Sequence, residues 1–181
     1  MFIQTETTPN PLTLKFIPGR IVMDKGTYDF PLKETAHVSP LAQSLFAISG
    51  VEGVFYGADF ISVTKSDAAD WSVLKPSILG AIMEQFISAR PLFASEKAQD
   101  EAIDSDPIIA EIKEIIDTRV RPAVAMDGGD ILFDRFEEGV VYLRMQGACS
   151  GCPSSSVTLK NGIETMLRHY VPEVVEVRSV E

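Results

Sequence analysis

Apolar and polar positions along this chain repeat at two periods, near 2 and near 3.6, and the switches between them mark its elements. Residues 2–7 and 12–17 read as strands, separated by Thr8-Pro9-Asn10-Pro11, which is turn chemistry. Residues 28–32 offer a third strand. Ser39 then Pro40 reads as a helix cap followed by a first helical position, with Leu41, Leu45, Phe46 and Ile48 at helical spacing and Gly50 as the stop. Residues 54–56 and 60–64 form a hairpin across Gly57-Ala58-Asp59. A helix starts at about Trp71 and places Ile78, Leu79, Ile82, Met83, Phe86 and Ile87 on one face.

The periodicity lapses from Arg90 to Asp106, a stretch of charged and small residues that reads as a linker. It resumes where Asp106 can cap a helix with Pro107 in its first turn. Ile108, Ile109, Ile112, Ile115, Ile116 and Val120 mark the buried stripe of that helix, and Pro122 is expected to end it. Asp127-Gly128-Gly129-Asp130 reads as a turn and residues 131–136 and 140–145 as a hairpin. A tight loop, 147–153, precedes a helix with Leu159, Ile163, Met166, Leu167 and Tyr170 on one face. Pro172 blocks its continuation, and Val174, Val175 and Val177 indicate a last strand. The fold class is α+β, as two small mixed domains, 1–89 and 107–181, joined by an acidic linker, 90–106. The second domain runs helix, hairpin, helix, strand.

Composition then removes several classes of function. Hydrophobic residues make up 45% of the chain, enough for real cores, yet no apolar run nears the roughly 20 residues that span a bilayer. A net charge of −10 argues against nucleic-acid binding, which needs a basic footprint. The first residues show no basic region followed by an apolar stretch, so neither a secretory nor a transit signal is expected. That points to a cytoplasmic protein of a bacterium, or else to a mature mitochondrial form. Tyr56, Phe60 and Trp71 are expected in the first core, and that domain shows no acid, base or nucleophile constellation.

The chemistry concentrates in two cysteines, Cys149 and Cys152, the only ones in the chain. They form one C-x-x-C between a strand and a helix, within Gly147-Ala148-Cys149-Ser150-Gly151-Cys152-Pro153. Unpaired backbone N–H groups and the dipole of the following helix favour thiolate there. Soft thiolates select zinc, copper(I) or iron–sulfur clusters, and such centres take four ligands, of which one chain supplies two. His169 lies 17 residues beyond Cys152 on the same helix, roughly 25 Å away, and His37 belongs to the first domain. Asp127 and Asp130 are hard ligands, better read as turn residues. Two chains meeting about a two-fold axis would complete the set and leave the sulfurs near solvent. Dithiol–disulfide chemistry of the thioredoxin kind and a zinc-bridged dimer are the rival readings.

The run Met145-Gln146-Gly147-Ala148-Cys149-Ser150-Gly151-Cys152-Pro153-Ser154-Ser155, with Thr158-Leu159-Lys160, Gly162-Ile163-Glu164 and the upstream Asp127-Gly128-Gly129-Asp130, closely resembles the C-terminal domain of NifU. Thr8-Pro9-Asn10-Pro11, Lys15-Phe16 and residues 71–76 resemble the N-terminal domain of Nfu proteins. The resemblance implies a non-enzymatic scaffold or carrier. It would bind a [4Fe-4S] cluster between two subunits through Cys149 and Cys152, receive it from an upstream scaffold, and deliver it to apo-enzymes. Ligand count leaves [2Fe-2S] open.

Overall fold

The computed structural model describes residues 1–94, 106–150 and 153–180, with the side chains of 153–156 also left out. The chain divides into two compact units, Met1–Gln99 and Asp100–Glu181. The linker segment 95–105 lies outside the described residues.

In the first unit, β1 (Gln4–Thr7) and β2 (Thr13–Ile17) pair antiparallel around the predicted turn. That turn is fastened by its own side chains. The Thr8 hydroxyl donates to the Asn10 carbonyl at 2.8 Å, and Leu12 N–H donates to Asn10 Oδ1 at 3.0 Å. β3 (Tyr28–Phe30), β4 (Val51–Tyr56) and β5 (Ile61–Lys65) complete a five-stranded antiparallel sheet in the order β1-β2-β5-β4-β3. The hairpin across Gly57 stands as its spacing predicts, with Tyr56 opposite Ile61.

Two helices, α1 (Pro40–Phe46) and α2 (Trp71–Ile87), bury Leu41, Leu45, Ile78 and Ile82 with Phe16, Phe30, Tyr56 and Ile61 of the sheet. Ser39 caps α1, its Oγ accepting from Ala42 N–H, and the same oxygen lies 2.8 Å from the buried Tyr56 hydroxyl. Burial pushes the Tyr56 phenol above its ordinary pKa, so the ring enters the core neutral and paired. Trp71 is only half-buried, held at the edge by a bond from Nε1 to the Pro11 carbonyl.

The outcome differs from the sequence reading at two points in this unit. Ile87, expected on the inner face of α2, is 70% exposed, because the inner face runs Leu74, Ile78, Ile82 and Phe86, and Ile87 lies further round the helix from it. Leu92 and Phe93, within the stretch read from composition as linker, pack against the first core. The Phe93 ring sits 5.1 Å from Tyr28 and 6.0 Å from Tyr56, and Ala94 N–H donates to the Val38 carbonyl. Two apolar residues in a charged run carry no period, which is why pattern alone passes over them.

The second unit opens with α3 (Pro107–Ile115), capped by Asp106, whose Oδ1 accepts from Ile108 N–H at 2.9 Å. Pro122 does not end this helix. The chain widens into a π turn over Ile116–Val120, where Arg121 N–H reaches the Ile116 carbonyl, and resumes as α4 (Arg121–Met126). The proline falls in the first turn of α4, where its missing N–H costs least. β6 (Gly129–Glu137) and β7 (Val140–Gly147) then form the hairpin, turning on Glu138 and Gly139, both at positive φ (49° and 79°), as a two-residue turn of that hand requires. α5 (Pro153–Tyr170) carries the chain back to β8 (Glu176–Val180), which pairs parallel to β7.

Ile112, Ile116 and Val124 pack with Ile131, Val141 and Leu143 of the sheet and Ile163 and Leu167 of α5 to make the second core. Tyr170, expected on the inner face of α5, is 42% exposed, with the Arg119 guanidinium over its ring. The architecture is α+β in both units, as expected.

Candidate functional site

The cysteine loop leaves the end of β7 at Gly147, whose φ of 64° lets the chain turn sharply. Ser150 N–H donates back to the Gly147 carbonyl at 3.1 Å. Cys149 sits in this turn. Gly151 and Cys152, the other half of the predicted site, lie outside the described residues, and in sequence Cys152 immediately precedes α5. Among the described residues, no group of three or more His, Cys, Asp or Glu stands together as a ready-made metal site. His37 is on the surface of the first unit, its Nδ1 facing the Glu34 carbonyl at 2.8 Å, and His169 faces the Tyr170 ring near the end of α5.

In the single chain Cys149 is sheltered; sulfurs near solvent were expected of two chains joined about a cluster. Cys149 is 6% exposed and belongs to the second core, with Ile131, Ile163 and Leu167. What admits it there is Gly129, the first residue of β6. A Cβ on Gly129 would come within 2.7 Å of Cys149 Sγ, 3.0 Å of its backbone nitrogen and 2.6 Å of the Gln146 carbonyl oxygen. No side chain fits in that gap. The neighbouring Gly128 carbonyl accepts from Ala148 N–H at 3.2 Å, so the Asp127-Gly128-Gly129-Asp130 segment lies directly beneath the cysteine loop. Sequence pattern marks these glycines as a turn; nothing local to them shows that they serve a loop some twenty residues downstream.

Asp130 corrects the reading further. It belongs to β6 rather than to a turn, is 2% exposed, and pairs with Arg121 of α4. The Arg121 guanidinium grips it with two bonds, Nε to Oδ1 at 2.9 Å and Nη2 to Oδ2 at 2.8 Å, while Nη1 reaches Asp117 at 3.1 Å. Asp130 Oδ1 also accepts from Ile131 N–H at 2.8 Å. The hydrogen bond to Asp130 holds the Arg121 pKa above even its ordinary high value, against the opposing effect of burial. Across the strand pair, Gln146 stands opposite Asp130. Its side-chain oxygen is buried with no hydrogen-bond partner among the described residues. A charge on α4 and its counter-charge on β6, nine positions apart, show in the sequence only as one arginine among sixteen basic residues.

A sheltered thiol reacts slowly. In the cluster-free chain held under reducing conditions, alkylation of Cys149 in a Cys152→Ser background should run at least about tenfold slower than in the same chain unfolded by denaturant, because attack waits on local opening. Equal rates in the two states would show the shelter to be absent in solution.

The sequence is matched in known proteins. Residues 3–89 match the family model described as Scaffold protein Nfu/NifU N terminal, and residues 112–178 match the NifU-like domain. The chain belongs to the Nfu family. It is 54% identical over 184 aligned residues to a Drosophila sechellia protein named NFU1 iron-sulfur cluster scaffold homolog, mitochondrial, covering 99% of this chain and 65% of that protein. A second member of the family, NifU-like protein 5, mitochondrial, of Arabidopsis thaliana, is 56% identical over 96% of this chain and 66% of its own length. The chain thus spans just under two thirds of these relatives. Among solved structures it is similar to a Saccharomyces cerevisiae NifU-like protein, at 28% identity and a TM-score of 0.47 over 53% of this chain and 87% of that one. These relatives overturn the expected bacterial cytoplasmic location, since both carry a mitochondrial designation.

Proposed function

We propose that the chain is an iron–sulfur cluster carrier that holds one cluster between two copies of itself, through Cys149 and Cys152 of each, and passes it to apo-proteins. The observation that carries this reading is the donor set. Two cysteines, both in a single C-x-x-C ahead of α5, make half of the four thiolates that a cluster takes. The names of its relatives, iron-sulfur cluster scaffold and NifU-like protein, support the same reading. A [4Fe-4S] cluster is the proposed cargo, received from an upstream scaffold. Bound at an interface between copies, it is released when they part, which suits delivery rather than fixed electron transfer.

The division of labour proposed here gives the first unit, to which Leu92 and Phe93 also belong, to client recognition and 107–181 to cluster binding, with the rest of the acidic stretch 90–106 between them as linker. The chain performs no reaction of its own in this scheme. Its work is to hold, protect and hand over.

Anaerobic reconstitution of the chain with ferrous iron, sulfide and a thiol reductant tests the proposal. The expected product is a brown dimer carrying about four iron and four sulfide per two chains, bleached by oxygen. A colourless monomer that reduces disulfides would instead establish dithiol chemistry. One zinc per two chains without visible absorption would establish a structural metal bridge.

A further inference from the structure

We infer that Arg121 and Asp130 are positioning residues for cluster retention: their ion pair sets where Cys149 can stand. The inference rests on the carrier reading above and extends it to residues outside the cysteine motif.

Contacts from two sides converge on the segment 128–130. On one side, Arg121 of α4 grips the Asp130 carboxylate with two bonds, and Ile131 N–H adds a third to the same carboxylate. On the other, the Gly128 carbonyl accepts from Ala148 N–H, next to the cysteine. Between them lies Gly129, whose bare Cα faces Cys149 Sγ with no room for a Cβ. The position of the sulfur is therefore referred, through one residue, to a carboxylate fixed by a bidentate arginine. A bidentate pair fixes both distance and orientation, which a single contact does not.

Asp117 lies in the π turn and Arg121 directly after it, and Arg121 bonds both Asp117 and Asp130. One guanidinium thus ties the widened turn to the start of β6. A shift of that strand by a fraction of an ångström would move Gly129 against or away from the sulfur. Groups that orient metal ligands in this indirect way typically change metal affinity about 10- to 100-fold when removed.

The test uses the full chain, reconstituted anaerobically, with Arg121→Ala, Asp130→Asn and the double variant. Each single variant should lose iron to a chelator about tenfold faster than the parent, and the double variant no faster than either, because both remove one clamp. Arg121→Lys, which keeps the charge but not the fork, should fall between. A control, Val177→Ala on β8, lowers stability without touching the clamp. Release from the clamp variants at the parental rate, or no faster than from a control of equal thermal stability, would overturn the inference. Alkylation of Cys149 in cluster-free protein, in the Cys152→Ser background, gives a second readout. Arg121→Ala should raise that rate about tenfold at temperatures where the chain is fully folded. Should the parent chain hold no cluster, the carrier reading falls by itself. The alkylation rate then decides the clamp, and an unchanged rate would reject it.

Discussion

Cys149→Ala should lower the iron content of the reconstituted chain from about four per dimer to near zero, and with it the cluster-dependent dimer. The effect is expected to be nearly complete because the ligand count leaves no reserve: each chain brings two thiolates, and removing one from each leaves two for the pair. Alanine is the right replacement. Cys149 sits in the second core, so serine would bury a hydroxyl, and loss of cluster could then be confused with damage to the fold. Alanine removes one apolar atom and costs stability only modestly, on the order of 1 kcal/mol. Iron analysis beside a circular dichroism melt separates the two effects. A folded Cys149→Ala chain that still carries a full cluster would defeat the proposed ligand arrangement outright.

Gly129→Ala should be nearly as damaging although it touches no ligand chemically. Its new Cβ would lie 2.6 Å from the Gln146 carbonyl oxygen, a backbone atom paired into the sheet, and 2.7 Å from Cys149 Sγ. The Cys149 side chain, which can turn about χ1, is the softer side, so it should yield. Overpacking of this kind costs about 1–3 kcal/mol, and the displacement falls on the sulfur proposed to bind iron. We expect cluster occupancy to drop roughly tenfold while the helices and sheet persist. Gly162→Ala is the matched control, since a Cβ there meets nothing within 4 Å and alanine suits the interior of α5. Equal occupancy in the two glycine variants would show that the close approach at Gly129 does not set the position of the thiol.

How much of this was legible beforehand follows from the reach of each signal. Local signals read well. Ser39 and Asp106 cap the helices they were expected to cap, and the two hairpins stand where alternation placed them. Pro122 misleads because a proline is a stop only when the helix keeps its ordinary pitch, and here a π turn absorbs it. Asp130 misleads because a charged residue beside two glycines reads as turn chemistry, until its partner arrives from another element. Gly129 is visible as a glycine, but the reason for it is a sulfur on a different strand end. The cysteine pair was read from spacing; the burial of Cys149 was not, because burial is a property of the assembled core.

A cluster carrier must spend part of each round empty, between receiving its cargo and meeting the next donor. A bare pair of vicinal thiols in that interval is open to peroxide and to closure into a disulfide, either of which ends its usefulness until it is reduced. Folding Cys149 inward against Gly129 shelters that thiol from dissolved oxidant for as long as the chain waits alone. In the proposed carrier, the contact that shelters the thiol in the empty chain would also be the one that fixes it when iron arrives.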